Sequence, residues 1–265
     1  MAVSSSTPFF VSLRLQLRVV GALLMREIIT RYGRDNLGFL WLFFEPMMFT
    51  LGVTALWTAA GASHGSSLPI VAFALTGYSS VLLWRNMPSR CAMAIPSNAG
   101  LLYHNNVRVI DLFITRVVLE FAGATISFTV LSMLFISMNW MSAPIDILRV
   151  LVGWFFLTWF GAVLAMIIGA LSARNDVVER LWHPASYLLF PLSGAAFMVD
   201  WLPPKFQSII LMLPMVHGVE ILREGYFGSA VRTHYSVSYV FVVCLVMSLV
   251  ALMLVRDAGR RVEIE

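Results

Sequence analysis

Long apolar segments separated by short polar connections make up most of the chain. A helix needs about 20 predominantly apolar residues to cross a bilayer. Apolar runs of roughly that length occur at 37–60, 68–87, 109–138, 147–172, 185–200 and 235–256. The fifth run is short and is interrupted by Pro191 and Gly194. This pattern predicts an all-α multispanning membrane protein with six spans.

The stretch after the fifth run does not look like a simple connection. A polar, proline-marked segment, DWLPPKF, is followed by a second apolar piece, QSIILMLPMVHGVEIL. That piece is too short and too interrupted for a span. Non-helical backbone at membrane depth must be surrounded by protein or line a water-filled cavity. We therefore predict two short re-entrant helices before the last span, at about 200–230.

A different periodicity precedes the first span. Residues 10–34 place Leu13, Leu17, Val20, Leu24 and Ile28 at spacings of three and four, with arginines on much of the remaining surface. This spacing predicts an amphipathic helix at the membrane interface. The alternation SLRLQLR also suits a strand, so the first turns stay open.

Composition supports a membrane protein and charge orients it. The chain is 59% hydrophobic and 12% charged, whereas soluble domains are about 25% charged. With the N-terminus inside, most of the 18 basic residues lie on the cytoplasmic side. This bias predicts a membrane protein with both termini in the cytoplasm. Because the basic residues are dispersed, we predict no nucleic-acid surface.

The sequence offers little for catalysis. A P-loop ends in Gly-Lys-Ser/Thr, but the only lysine, Lys205, follows Pro203-Pro204. The five histidines are scattered, and we predict no metal site. A non-catalytic chain is therefore expected. A secondary transporter or channel working without ATP, or a membrane-bound transferase, stays a less favoured alternative, since no internal repeat and no acidic or His/Asp constellation is visible.

Polar residues in the first span are the first candidates for function. Glu45 lies in an apolar run, where a carboxylate at the helix centre costs about 2.5–3.5 kcal/mol. One interpretation pairs it with an arginine of the interfacial helix. The other makes it a lining residue of a water-accessible substrate path. Pro46 is expected to kink the helix, and Trp41 and Phe44 are candidates for sugar stacking.

Two further segments carry candidates. Residues 85–111 form a predicted cytoplasmic loop, either an ordinary solvated connection or a surface that docks another protein. The stretch 213–228 places His217, Glu220, Arg223 and Glu224 at helical spacing. They would form either a structural salt-bridge cluster or a polar exit lining of the substrate path.

Several of these residues together resemble a known family. Arg26-Glu27, Arg31-Tyr32, LGFLW and Glu45-Pro46 resemble the N-terminal signature of ABC-2-type polysaccharide export permeases. The stretch 94–120, AIPSNAGLLYHNNVRVIDLFITRVVLE, is similar to the loop and third span of the capsule polysaccharide branch. PMVHGVEILRE is similar to its Pro-x-x-His-x-x-Glu-x-x-Arg-Glu element. Two departures are Leu213, where the family usually has asparagine, and Asn105-Asn106, which replace a more basic pair.

The resemblance implies a fold and an organisation. The fold would be an ABC-2 (type V-like) exporter transmembrane domain with six spans, an N-terminal interfacial helix and two re-entrant helices. Residues 1–36 would form the cytoplasmic N-terminus with a gate helix, 37–256 the transmembrane domain, and 257–265 a cytoplasmic tail. The gate helix would carry Arg26, Glu27, Arg31 and Tyr32. Segment 89–107 would couple to an ATPase, through residues Asn98, Leu101, Tyr103, His104 and Arg108.

The resemblance also implies partners and a substrate. The permease would be a homodimer joined to two copies of a P-loop ATPase subunit, which would bind ATP and Mg, so that this chain needs no cofactor. A periplasmic co-polymerase and an outer-membrane export protein would complete the route. The substrate would be a lipid-linked, acidic capsular polysaccharide, with O-antigen or another surface polysaccharide as the alternative. Membrane lipids would surround the spans.

Overall fold

Ten α-helices form the described part of the chain. The computed structural model describes residues 9–32, 40–60, 68–102 and 107–262, and no strand occurs among them. The helices are α1 (Phe9–Tyr32), α2 (Trp41–Ala59), α3 (Ile70–Ala92), α4 (Ala99–Leu102), α5 (Val109–Ser137), α6 (Ile147–Ser172), α7 (Asp176–Leu192), α8 (Pro204–Ile210), α9 (Pro214–Phe227) and α10 (Val237–Val262). The all-α prediction is confirmed for these residues.

The bundle is organised around two central helices, α3 and α6. α6 packs against α3, α9 and α10, and α3 also packs against α2, α5 and α7. α1 lies on α5. Helices in membranes approach closely where residues are small. A Cβ on Gly153 of α6 would lie 2.6 Å from the backbone nitrogen of Leu222 in α9, so that this contact requires glycine.

Three helices of the described chain are long and apolar enough to cross a membrane: α5, α6 and α10. α8 and α9, with the short turn after α9, would together make a fourth, but they bend by 107° at their junction. A bend of this size suits a broken span or a re-entrant pair. The chain is thus a membrane protein with several apolar helices, and the six-span arrangement stays a prediction.

Helix boundaries follow local chemistry. The side chain of Asp146 accepts a hydrogen bond from the Arg149 amide at the start of α6 (3.1 Å), and Asn175 accepts one from Val177 at the start of α7 (2.9 Å). Such caps satisfy amides that have no partner within the helix. α6 matches its predicted run of 147–172.

The loop predicted at 85–111 begins too early. α3 continues through Pro88 to Ala92, so residues 85–92 are helical. Proline removes one backbone donor from a helix. Met87 and Cys91, on either side of Pro88, are fully buried in the core. Their burial offsets the lost hydrogen bond and keeps the last turn of α3 helical.

The packing face of α1 also differs from the predicted one. Leu13 and Leu17, expected on the apolar stripe, are exposed. Leu23 is the buried residue, and Gln16, Glu27 and Arg31 share its side of the helix. α1 therefore packs a partly polar face against α5, because Arg116 and Glu120 of α5 pair with its charged residues. Leu13 and Leu17 point away from α5 and are exposed.

Candidate functional site

Six charged side chains meet beside α1. We call them the charged network: Glu27 and Arg31 of α1, Glu45 of α2, Arg90 of α3, and Arg116 and Glu120 of α5. Three carboxylates are matched by three guanidinium groups. The network therefore joins four helices and is neutral as a unit.

The core of the charged network lies between α1 and α5. Arg31 contacts Glu120 at 2.5 Å and Glu27 at 3.0 Å. Glu27 also lies 3.3 Å from Arg116. Glu120 is only 8% exposed. Removing one partner of a buried ion pair leaves the other charge uncompensated and destabilises a protein by about 3–5 kcal/mol. The buried part thus holds α1 on α5.

The other end of the charged network is open to its surroundings. Arg90 lies 3.4 Å from Glu120 and 3.6 Å from Glu45, whose side chain is 54% exposed. Among the described residues the ion-pair partner of Glu45 is therefore Arg90 of α3 and not an arginine of α1. Because α3 runs one turn past Pro88, its Arg90 reaches α2.

The charged network also reaches the turn after α3. Arg26 donates a hydrogen bond of 2.5 Å to the side-chain oxygen of Asn98. Asn98 is buried, and its side-chain amide donates a hydrogen bond of 2.9 Å to the Ala94 carbonyl. Arg116 donates 2.7 Å to the Ser97 hydroxyl. Both arginines therefore tie residues 97–98 to α1 and α5, so that a shift of this turn would be felt by both helices.

A polar strip runs along the last turns of α3. Residues 72–84 are all buried, but Arg85, Asn86, Ser89 and Arg90 are partly exposed. We call these four residues the polar strip. Glu45 lies beside it on α2, and Tyr187 beside it on α7. Polar groups are expensive against lipid. The polar strip is therefore more favourable against water, lipid headgroups or another protein surface than against lipid tails.

A second cluster lies at the opposite end of α3, in α9. Arg223 is fully buried and donates hydrogen bonds of 2.6 Å to the carbonyls of Gly194, Ala195 and Phe197. Its guanidinium group also lies 3.8 Å from the centroid of the Phe73 ring. These carbonyls follow the end of α7, where helical partners are missing. Arg223 supplies those partners.

Glu220 and His217 serve backbone groups in the same way. The Glu220 carboxylate accepts hydrogen bonds from the amides of Val199 (3.2 Å) and His234 (3.0 Å). His217 Nδ1 accepts from the Ser236 amide at 3.0 Å, so its Nε2 carries the proton donated to the Leu211 carbonyl at 2.8 Å. These described residues bind backbone groups and form no salt bridge with one another, whereas Glu224 pairs with Arg149 of α6. The salt-bridge alternative is therefore not formed within α9, and the exit-lining alternative stays a prediction.

The sequence comparisons identify the family. The model of the ABC-2 type transporter family matches residues 18–227. The chain belongs to the ABC-2 type transporter family. The resemblance drawn from the motifs is confirmed, and the chain is the membrane-embedded permease subunit of an ABC transporter.

Relatives match the ABC-2 chain along nearly its whole length. It is 44% identical to the capsule polysaccharide export inner-membrane protein CtrC of Neisseria meningitidis serogroup B, over 99% of both chains. It is 43% identical to the capsule polysaccharide export inner-membrane protein BexB of Haemophilus influenzae, again over 99% of both. The polysialic acid transport protein KpsM of Escherichia coli is 25% identical over 89% of this chain and 92% of its own.

Not all predicted site residues of this ABC-2 permease come together. Trp41 and Phe44 are exposed on α2, with ring centroids 5.6 Å apart, and Pro46 lies one turn further on, inside the same helix. Glu45 lies beside the polar strip. His217, Glu220 and Arg223 are buried at the other end of α3, so the predicted substrate path is split between two regions.

The coupling residues are placed only in part. Leu101 is half-buried against the core. Arg108 is exposed, and its amide donates 2.9 Å to the carboxylate of Asp111, which also accepts from Gln16 of α1. Tyr103 and His104 lie outside the described residues, as does the side chain of Tyr32.

Sequence reasoning missed Arg85 and Tyr187 of the ABC-2 permease. The guanidinium carbon of Arg85 lies 4.5 Å from the centroid of the Tyr187 ring. Arg85 was assigned to a loop because it follows an apolar run directly, in the sequence LWRN. The sequence did contain a signal for a longer helix. Arginine and asparagine directly after a run of apolar residues are compatible with the polar side of a helix that continues.

Proposed function

We propose that this chain is the permease of an ATP-driven ABC transporter that exports lipid-linked capsular polysaccharide across the bacterial inner membrane. The observation that carries this proposal is the similarity, at 43–44% identity along the whole chain, to proteins named for capsule polysaccharide export. Membership in the ABC-2 type transporter family supports the assignment to an ABC transporter.

The polymer would pass between two copies of the chain. In this arrangement α2, α3, α5, α6, α7 and α10 are the six spans, α8 and α9 are re-entrant, and both termini are cytoplasmic. The polar strip and Glu45 supply what a conduit wall needs, because groups that are unfavourable in lipid are favourable against water and sugars. The exposed rings of Trp41 and Phe44 add apolar faces that would hold sugars weakly enough to release them.

The energy would come from a separate subunit. The chain has no P-loop, so two copies of an ATPase partner would bind ATP and Mg and hydrolyse the nucleotide. Segment 89–107 would dock on that partner. The bonds Arg26–Asn98 and Arg116–Ser97 support a direct mechanical link from this segment to α1, the gate helix. ATP binding would thereby bias the position of α1.

The remaining partners lie along the export route. A periplasmic co-polymerase and an outer-membrane export protein would receive the polymer. Arginines on the cytoplasmic side would raise the local concentration of an acidic polymer near the entrance, an effect that added salt screens.

A deletion strain tests the proposed function. Loss of this chain should abolish surface capsule and leave polymer inside the cell, and the wild-type chain should restore export. The purified permease should bring down a P-loop ATPase. Loss of O-antigen with intact capsule would contradict the substrate assignment.

A second test concerns coupling. Replacing residues 98–104 with a Gly/Ser linker of equal length should abolish export. It should also uncouple the ATPase rate of the reconstituted complex from substrate. If export and substrate-stimulated ATPase activity both survive, segment 89–107 does not couple the two subunits.

A further inference from the structure

Arg85 differs from the other buried or partly buried arginines of the described helices. Arg31, Arg90 and Arg116 face carboxylates in the charged network, and Arg223 faces three carbonyls. Within the described part of the chain, no carboxylate lies within 4.0 Å of Arg85, and its side chain makes no hydrogen bond. Its positive charge therefore has no counter-charge supplied by this chain's described residues.

Aromatic rings hold this charge in place. The guanidinium carbon lies 4.5 Å from the Tyr187 ring centroid and 6.0 Å from that of Phe190. A cation over an aromatic face is attracted by the ring quadrupole. The ring occupies one face of the planar group. The N–H donors along its edge stay available, in the fork geometry that matches a carboxylate or phosphate.

The helices that carry this pair are fixed to each other on both sides of it. On one side, the Trp182 indole of α7 donates a 3.0 Å hydrogen bond to Ser89 of α3. On the other side, the rings of Tyr78 and Phe190 lie 5.6 Å apart. Arg85 is thus presented on a preorganised surface, which lowers the entropic cost of binding a ligand.

Arg85 lies within α3 and not at its end. Arg85 lies seven residues before the end of α3, about 10 Å along the helix at 1.5 Å per residue. Arg85 is only partly exposed, and a partly buried charge without a counter-charge is unfavourable unless it meets water or a ligand. Tyr187, 65% exposed, adds an open ring surface directly beside it. A ring and a cation side by side suit a sugar bearing an acidic group.

We propose that Arg85 and Tyr187 form an anion subsite that binds the carboxylate or phosphate groups of the exported glycan or of its lipid carrier. This inference rests on the proposed export function and gives it a charge preference. Arg90, one turn and a half away, does not share the role, because Glu45 and Glu120 already balance its charge. The subsite would favour acidic polymers over neutral ones of equal length.

The test uses the permease–ATPase complex in nanodiscs of phosphatidylcholine. Binding is measured for three probes: an oligogalacturonate, which carries only carboxylates, inorganic pyrophosphate, and a neutral malto-oligosaccharide of the same length as the first. In R85Q, affinity for an anionic probe should fall about tenfold, the loss expected for one charge-assisted contact. Affinity for the neutral sugar should not change.

The three probes separate the two sources of the anion. A loss confined to oligogalacturonate assigns the subsite to acidic sugars, and a loss confined to pyrophosphate assigns it to the phosphates of the lipid carrier. Equal binding by wild type and R85Q, or no binding of either anionic probe by the wild type, overturns the proposal.

Matched variants control for folding and for charge. R256Q removes the same charge from an exposed position on α10, which packs on α5, α6 and α9, and should leave all affinities unchanged. Y187F keeps the aromatic face and should bind like wild type. Y187L removes the ring and should weaken anionic probes about threefold. If Y187F and Y187L bind equally, the ring has no part in the subsite.

Complementation separates this inference from the proposed function. If the wild-type chain restores capsule and R85Q restores it equally well and with unchanged probe binding, only the subsite fails. If the wild-type chain does not restore capsule, the export function fails, and the binding measurements still decide the subsite by themselves.

Discussion

The charged network and the α9 cluster both contain arginines and glutamates in a membrane protein, but they use them differently. In the charged network, side chains pair with other side chains, mostly from different helices, and exposure rises from buried Glu120 to open Glu45. In the α9 cluster, Arg223, Glu220 and His217 are buried and bind backbone groups.

The difference bears on movement. Ion pairs between side chains can exchange partners, because three carboxylates and three guanidinium groups can pair in more than one way. Such an exchange leaves the total charge unchanged. Backbone groups have no such alternative, since each buried carbonyl left without its donor destabilises the protein by about 1–3 kcal/mol. The charged network is therefore suited to the movement that the proposed coupling to an ATPase would require, and the α9 cluster to a fixed part of the fold.

The largest effect should come from removing the backbone partner in α9. R223L leaves the carbonyls of Gly194, Ala195 and Phe197 without their donor, and should destabilise the protein by about 3–5 kcal/mol. We expect a large loss of protein from membranes and a lower Tm in detergent. R232L, at an exposed position, should match wild type. An unchanged Tm for R223L would remove the distinction between the two regions.

A smaller, more specific effect should follow from reversing charge in the charged network. E27R places a third cation beside Arg31 and Arg116 and should abolish export, with partial loss of stability. The double variant E27R/R116E restores one opposite pair and should recover part of the export. A double-mutant cycle on Tm-derived stability should give a coupling of about 1–3 kcal/mol.

The matched control for that cycle lies on α10. Arg261 and Asp257 form an exposed pair at 3.0 Å, and Asp257 also contacts Arg174. A double-mutant cycle of R261Q and D257N isolates the Arg261–Asp257 term, and its coupling should be less than about 1 kcal/mol. If the cycle at Glu27 and Arg116 gives a coupling as small as this, α1 is not held on α5 by these charges.

Much of the fold could be predicted from hydrophobic pattern alone. The runs at 109–138 and 147–172 correspond to α5 and α6 because long apolar helices need little else to define them. The end of α3 could not be predicted in this way. Pro88 and the polar residues around it suggested a loop, whereas burial of Met87 and Cys91 against other helices stabilises a helix there. That burial is a tertiary effect, and no local pattern reports it.

The candidate site was predictable in its members but not in its pairings. Motifs singled out Arg26, Glu27, Arg31 and Glu45, and three of these belong to the charged network. Their partners Arg90, Arg116 and Glu120 are 45–89 positions away from them in sequence, so spacing along one helix could not indicate the contacts. For the same reason, the helical spacing of His217, Glu220 and Arg223 suggested pairs, although all three bind backbone groups outside α9.

The smallest effect on stability, and the finest test of the comparison, is expected at the open end of the charged network. Glu45 is 54% exposed and lies 3.6 Å from Arg90, so the pair contributes about 0–1 kcal/mol. E45Q should therefore assemble with the ATPase and melt like wild type. R90Q also breaks the 3.4 Å contact with buried Glu120 and should lower the Tm measurably. If Glu45 lines the conduit, E45Q should reduce surface capsule at unchanged protein level. If E45Q instead fails to assemble, Glu45 is a structural partner of Arg90, and the charged network is fixed along its whole length.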